Sequence, residues 1–292
     1  MSWTNGLEHI VREQEPLAKW CWSRIGGPAK YFAEPTQLDE LQTLVERCRA
    51  EGLCVRLIGS GSNILIPDAG VDGLVIALTA PAFHTIQLNG DRIVCGGGAR
   101  LNHLVSTSIR EGLGGLENLV GVPGTVGGAL RTNAGDRGNH VGQWLRKATV
   151  LTRNGELFER GQDDLSFAYR QSSLDELAII TAEFELERED PRELTRRMQK
   201  TWIVKQSTQP NGNQGTCLLF KDPIGVSARE LMEQADLKNL AVGGVSLYER
   251  NLNFAVVAEG ASCRDVMQLM DQVRRRVLDS AGVELEPTVD VW

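Results

Sequence analysis

Three glycine clusters, each set against an apolar β-branched run, narrow what this chain can fold into. They are "RLIGSGSNILIPDAGVDGLVIAL", "VCGGGARLNHLV" and "ENLVGVPGTVGGALRTNAGDRG". Glycine has no Cβ, so it enters left-handed backbone and lets another main chain or a ligand come close. Beside runs of Val, Ile and Leu, each cluster predicts a strand joined to a tight turn. In "GSGSN" (59–63), Gly59 and Gly61 alternate with Ser60 and Ser62 ahead of Asn63, whose polar side chains can donate to phosphate or ribose oxygens. "GVPGTVGG" (121–128) adds a proline-fixed turn and a second glycine pair. "GSGSNI" runs into a strand-like segment rather than a helix, so a dinucleotide held here would lie outside the Rossmann plan.

The segments around the clusters divide into three α+β units. In residues 1–80, "PTQLDELQTLVERCRAEGL" places Leu38, Leu41, Leu44, Val45 and Cys48 at helical spacing, with Gly52 at the end. The strands "CVRLIGSG" and "LVIAL" complete that unit. In residues 81–188 short strands dominate, interrupted by the helix "ARLNHLVSTSIREGL". The Asn-Gly pairs in "LNGDR" and "RNGEL" predict two hairpins there. Residues 189–292 read as helices over "EDPRELTRRMQKTWIVKQ", "SARELMEQADLKNL" and "SCRDVMQLMDQVRRRVLDSAGV", the last with Ser262 as N-cap. They also carry the strands "NFAVVAEGA" and "VELEPTVDVW" and the short buried strand expected from "GTCLLFKDP" (215–223).

A net charge of −7 offers no basic stripe for nucleic acid. The cluster "RRRV" reads as a solvated helix face. Six scattered cysteines show neither C-x-x-C nor Cys/His metal spacing, so reduced buried thiols and no metal are expected. The first twenty residues mix charges with apolar residues, and no apolar run approaches 18 residues. No signal peptide, no membrane span and a cytoplasmic location are the expectation.

The combination becomes specific in "RIGGPAKYFAEP", "GSGSNILIPDAGVDGLVI", "GVPGTVGGALRTNAG" and "YRQS", which in this order and spacing resemble the UDP-N-acetylenolpyruvoylglucosamine reductase (MurB) family, shorter class. The resemblance implies the FAD-binding fold of the vanillyl-alcohol-oxidase/MurB type. Two α+β subdomains would hold FAD, and a C-terminal α+β domain would take a UDP-sugar substrate. It implies NADPH as hydride donor and a step in peptidoglycan precursor synthesis. The cofactor residues would be Gly59, Ser60, Gly61, Ser62, Asn63, Gly121, Pro123, Gly124, Thr125, Gly127, Gly128, Asn133, Ala134 and Gly135. Arg170 of "YRQS" would steady the carboxylate as negative charge builds beside it, a task that suits a permanently charged, two-pronged side chain. Tyr169, Ser172, Lys221 and Asp222 would contact substrate.

Departures gather on the proton-donating side. An ungapped alignment puts Leu218 on the family's donor Ser and Asp222 on an Asn. At the C-terminus Thr288 stands on a Glu and Asp290 on an Arg, and Asn251 stands where His is usual. Leu has no proton to give. Cys217, one residue away, and Glu286 are the candidate substitute acids, with bound water a third source. Three functions remain open at this point: a working reductase, a flavin-binding relative with a lost or altered reaction, and a non-catalytic module binding FAD or a sugar nucleotide.

Overall fold

A computed structural model of the chain describes residues 3–210, 212 and 214–292. Contacts divide it into two compact units that do not follow the three consecutive stretches expected. The first comprises Met1–Glu15, Ala29–Ser60 and Asp72–Ile203, and the second Pro16–Pro28, Gly61–Val71 and Val204–Trp292. The expected boundaries at 80/81 and 188/189 fall inside the first unit. The reason is topological. Two excursions of the N-terminal part, 16–28 and 61–71, join the C-terminal core, and helix Pro191–Thr208 buries Leu194 in a core of the first unit.

The two larger sheets of the first unit carry most of its strands. One is four-stranded, in the order Val11–Pro16, Pro28–Ala33, Val71–Ala77, Val55–Ile58. Its last two strands are parallel, Val55 facing Leu74, so the chain between them must cross over rather than turn back. Helix α1 (Leu38–Ala50) buries Leu41, Leu44, Val45 and Cys48, as their spacing predicts, in a cluster with Leu74 and Ile76. Each fully buried Leu or Val side chain contributes about 1.5–3 kcal/mol.

The other sheet is antiparallel and five-stranded, in the order Leu157–Gly161, Leu145–Leu151, Ala178–Glu185, Arg92–Gly96, Ile86–Asn89. Both Asn-Gly hairpins form, one closing with Asn89 opposite Arg92 and one with Leu151 opposite Leu157. Helices α2 (Leu101–Arg110) and α3 (Val126–Arg131) place Leu101, Leu104, Val105, Val126 and Leu130 in the same cluster as Val150 and Phe184. The third glycine cluster is therefore not a strand-turn unit. Thr125 accepts a hydrogen bond from Gly128 N–H and starts a helix through both glycines. Helix α4 spans Pro191–Thr208.

The second unit carries a four-stranded antiparallel sheet, in the order Gly215–Leu218, Asn251–Val257, Val245–Tyr248, Ala241–Val242. Helix α5 (Ala228–Gln234) and helix α6 (Cys263–Ala281) supply Leu231, Met232, Val266, Leu269 and Val273 to its core. Ser262 caps α6 as expected, accepting from Asp265 N–H. The expected C-terminal strand is shorter than its sequence suggests. Only Asp290–Val291 is regular, parallel to Ile64–Leu65. No helix among the described residues is long and apolar enough to cross a membrane.

Candidate active site

Phe167 pairs with Ser172 and Ala168 with Gln171, which leaves Tyr169 and Arg170 as a two-residue hairpin turn in the first unit. Tight hairpin turns demand positive φ, and here Arg170 adopts it, at φ +56°. Left-handed backbone costs a residue with a Cβ about 1–2 kcal/mol, so the surroundings hold this arginine against its preference. Its guanidinium is 6.0 Å from the centre of the Tyr169 ring and takes no hydrogen bond or ion pair among the described residues. A half-buried, uncommitted guanidinium at a fixed turn is suited to an anionic group brought by a ligand.

Asn133 fastens that hairpin. It is 1% exposed, donates from Nδ2 to the Ala168 carbonyl at 2.7 Å and accepts at Oδ1 from Gly142 N–H at 3.1 Å. Its own φ is +45°. Asn133 was expected to touch the cofactor, but burial closes it to any ligand; it ties the turn of Arg170 to the loop after α3. Ala134, 3% exposed, is likewise internal. The same loop carries Arg137, whose guanidinium carbon lies 4.2 Å from the Tyr169 ring centre. Sequence reasoning missed it, although it follows directly on the Asn-Ala-Gly run. Ser172 accepts a hydrogen bond from Leu174 N–H at 3.2 Å.

The two glycine turns expected to act together do meet. A Cβ on Gly59 would stand 2.7 Å from Thr125 Oγ1. Ser60 follows in the same unit. In the second turn, Val126 N–H donates to Ala99, Gly127 N–H to Gly97 and Gly128 N–H to Thr125 Oγ1. The N–H groups of Gly127 and Gly128 are therefore committed within the protein, and a Cβ on Gly127 would press on the Gly97 carbonyl at 3.0 Å. The remaining features suit a diphosphate: a glycine-lined approach at Gly59, left-handed Gly121 and Gly124 flanking Pro123, and a Thr125 hydroxyl that accepts internally and can donate outward. Gly135 turns the chain into the loop of Arg137. These residues fit FAD. No group of three His, Cys, Asp or Glu side chains among the described residues could hold a metal.

In the second unit Gly61 has φ +61°, and a Cβ there would collide with the Trp20 carbonyl. Asn63 donates from Nδ2 to the Thr288 carbonyl at 3.1 Å, and its own carbonyl accepts from Asp290 N–H at 2.9 Å. Ser62 lies between them. The segment after Leu218 pairs with the C-terminal one: Phe220 bridges Pro287, Thr288 N–H reaches the Leu219 carbonyl and Lys221 N–H the Glu286 carbonyl. Asn253, also missed from sequence, clamps Phe220 by accepting from its N–H at 2.9 Å and donating to its carbonyl at 2.8 Å.

This arrangement removes one candidate acid. Cys217 is 4% exposed among the apolar side chains of the second core, and burial pushes its thiol up to about 12, with Cys263 adding to the shift. Glu286 is exposed and forms an ion pair with Lys221, which is largely sheltered. Asp222 is not a loose charge: its Oδ1 accepts from Ala228 N–H at 2.8 Å, at the start of α5. Thr288 has a buried hydroxyl with no hydrogen-bond partner among the described residues.

Two family models match. Residues 29–161 match the FAD binding domain, and residues 209–292 the UDP-N-acetylenolpyruvoylglucosamine reductase C-terminal domain. A UDP-N-acetylenolpyruvoylglucosamine reductase of Rhodopirellula baltica is 37% identical over 98% of this chain and 94% of its own. One of Symbiobacterium thermophilum, numbered 2, is 38% identical over 97% of this chain and 92% of its own. The crystal structure of the Thermus caldophilus reductase superposes with a TM-score of 0.82 at 33% identity, covering 97% of this chain and 99% of that one. A glycine-lined approach that suits a diphosphate, an arginine held ready for an anion and similarity along nearly the whole chain agree: this chain belongs to the UDP-N-acetylenolpyruvoylglucosamine reductase family.

Proposed function

We propose that this protein is the FAD-dependent reductase that converts UDP-N-acetylenolpyruvoylglucosamine to UDP-N-acetylmuramate in peptidoglycan precursor synthesis, with NADPH as reductant and the cytoplasm as its place. Bound FAD supplies the hydride relay between NADPH and the enolpyruvyl double bond. The turn at Gly59 and Ser60, with Thr125, holds the diphosphate. Arg170 grips the enolpyruvyl carboxylate and stabilises the negative charge that develops next to it. Tyr169, Ser172, Lys221 and Asp222 are the residues proposed to contact substrate. The observation that carries this reading is Arg170: strained, half-buried and uncommitted, at a turn that Asn133 fixes to the FAD-binding segment.

Of the three proton sources open from the sequence, Cys217, Glu286 and bound water, we favour water. Cys217 is buried in the second core, and Glu286 is engaged by Lys221 in an ion pair. Water then protonates the carbon in place of the hydroxyl that Leu218 lacks.

The test is a pair of half-reactions on purified protein. Its visible spectrum should carry the flavin band, NADPH added without oxygen should bleach it, and the enolpyruvyl sugar nucleotide should restore it. Bleaching without restoration would mean an altered oxidoreductase, and no bleaching a binding module.

A further inference from the structure

The turn that carries Arg170 cannot hold its own shape. Its arms pair only through Phe167 with Ser172 and Ala168 with Gln171, and a hairpin that short is not stable alone. The left-handed φ of Arg170 works against it as well. Support comes from the C-terminal end of α3, on both arms. Asn133 donates from Nδ2 to the carbonyl of Ala168, the residue before the turn, at 2.7 Å. Arg131 donates to the Leu174 and Glu176 carbonyls, beyond the other arm, at 2.9 and 3.1 Å. Asn133 Oδ1 takes the Gly142 N–H at 3.1 Å, and Gly142 lies against the ring of Phe167, where a Cβ would stand 2.5 Å away. The other end of α3 is fixed too: Val126 and Gly127 N–H donate to the Ala99 and Gly97 carbonyls, both at 2.8 Å. A short helix, footed on the turn after strand Arg92–Gly96, thus grips the hairpin from both sides. Asn133 is 1% exposed and both ends of its amide are engaged, so its influence on a ligand runs through the hairpin. Only an amide offers a donor on one atom and an acceptor on the other at that size.

We propose that Asn133, with Arg131 beside it, is a positioning residue for the reaction: the two hold the guanidinium of Arg170 in register for the substrate carboxylate; this rests on the reductase reading above. A group that stabilises developing charge loses about 10²-fold in rate when it is misplaced by about 1 Å. The effect of Asn133 is therefore confined to the step in which Arg170 takes part, and it vanishes where Arg170 is gone.

The test is a double-mutant cycle on the FAD-loaded enzyme. Asn133→Asp keeps the shape and the acceptor but removes the donor to Ala168. Arg131→Met keeps the stem and removes both donors; Arg131 is exposed, so this variant folds even where Asn133→Asp does not. Each is made alone and together with Arg170→Ala. Stopped flow reads flavin reduction by NADPH and, separately, re-oxidation of the reduced flavin by UDP-N-acetylenolpyruvoylglucosamine. Re-oxidation should fall about 10–100-fold in Asn133→Asp and several-fold in Arg131→Met, with reduction by NADPH within about twofold. Arg131→Lys should recover part of the loss, because an ammonium can still donate to a carbonyl. In the Arg170→Ala background neither change should cost more than about twofold further, since residues that act through one group are not additive. Losses of the same size with and without Arg170 would overturn the proposal. So would unchanged re-oxidation in both single variants, or a parallel loss of FAD or of reduction by NADPH, which would put Asn133 in support of the cofactor turn instead. A wild-type flavin that NADPH reduces and the enolpyruvyl compound does not re-oxidise would sink the reductase reading itself, and this proposal with it.

Discussion

Arg170 pays twice for its position, in backbone strain and in an unpaired charge, and both can be measured. Arg170→Ala keeps the left-handed φ but removes the charge. Flavin reduction by NADPH should persist, while re-oxidation by substrate falls about 10²–10³-fold, the usual effect of losing one group that stabilises developing charge. Arg170→Gly removes charge and strain together. It should match the alanine variant in activity yet unfold no more easily than wild type, with a gain of up to about 1 kcal/mol in denaturant titration. Equal stability of the two variants would mean that the turn carries no strain. Leu218 offers the opposite experiment. A positioned acid contributes about 10²–10⁴ in rate, and Leu218→Ser puts a hydroxyl where the resemblance has its donor. Re-oxidation of the reduced flavin by substrate should quicken, with NADPH reduction unchanged. If Leu218→Ser leaves re-oxidation unaltered, water at that position is not what limits the step.

At the scale of elements, α6 shows how local chemistry sets a helix. Ser262 accepts from Asp265 N–H at 3.1 Å, and Asp265 accepts in return from Ser262 N–H at 2.9 Å, a reciprocal box at the N-terminus. The hydrogen bonds from the Ser262 backbone N–H and side chain hold the Asp265 carboxyl below its ordinary range. A depressed folded value means that its contribution is present above the unfolded pKa of about 3.9 and is lost as pH falls through the folded one. Asp265→Asn should therefore unfold at lower denaturant than wild type at pH 7, and the gap should narrow progressively below about pH 4. A gap that stays constant to pH 3 would show that the carboxylate charge plays no part. The cap at Ser262 was legible in the sequence, because a cap acts on N–H groups two or three residues away, whereas the answering carboxylate of Asp265 was not read. The helical stripe of α1 and both Asn-Gly hairpins, whose signals are local, were legible too. The third glycine cluster was not: α3 exists because Gly97 and Ala99 carbonyls take its first N–H groups, and those partners are about thirty residues away. Cys217 failed as an acid for a similar reason. Its neighbours in sequence say strand, but only the fold says which face of that strand meets the core. Arg170 was legible through its motif, whereas its strain and Asn133's part in holding it needed coordinates.

At the scale of the whole molecule four of the six cysteines report on the cores of the two units. Cys54 is exposed, and Cys21, Cys48, Cys95, Cys217 and Cys263 are buried. Burial pushes Cys21, Cys48, Cys95 and Cys217 up to about 12 and Cys263 to about 11, so at neutral pH these five are thiols, not the reactive thiolates. A thiol-disulfide reagent should thus titrate one group at once in the native protein and six after denaturation. Four of the five slow groups then divide by core. Cys48 and Cys95 lie in the two cores of the first unit, and Cys217 and Cys263 in that of the second. A ligand that binds only folded protein slows labelling that goes through unfolding by about 1 + [L]/Kd. FAD should slow Cys48 and Cys95 by that factor and Cys217 and Cys263 by less, because the glycine turns that take its diphosphate carry Gly59 and Thr125, both in the first unit. Mass spectrometry of the labelled cysteines reads the four rates separately. Equal slowing at all four would mean that the two units open together, and sharper slowing at Cys217 and Cys263 would put the cofactor's grip in the second unit, against the placement argued from Gly59 and Thr125.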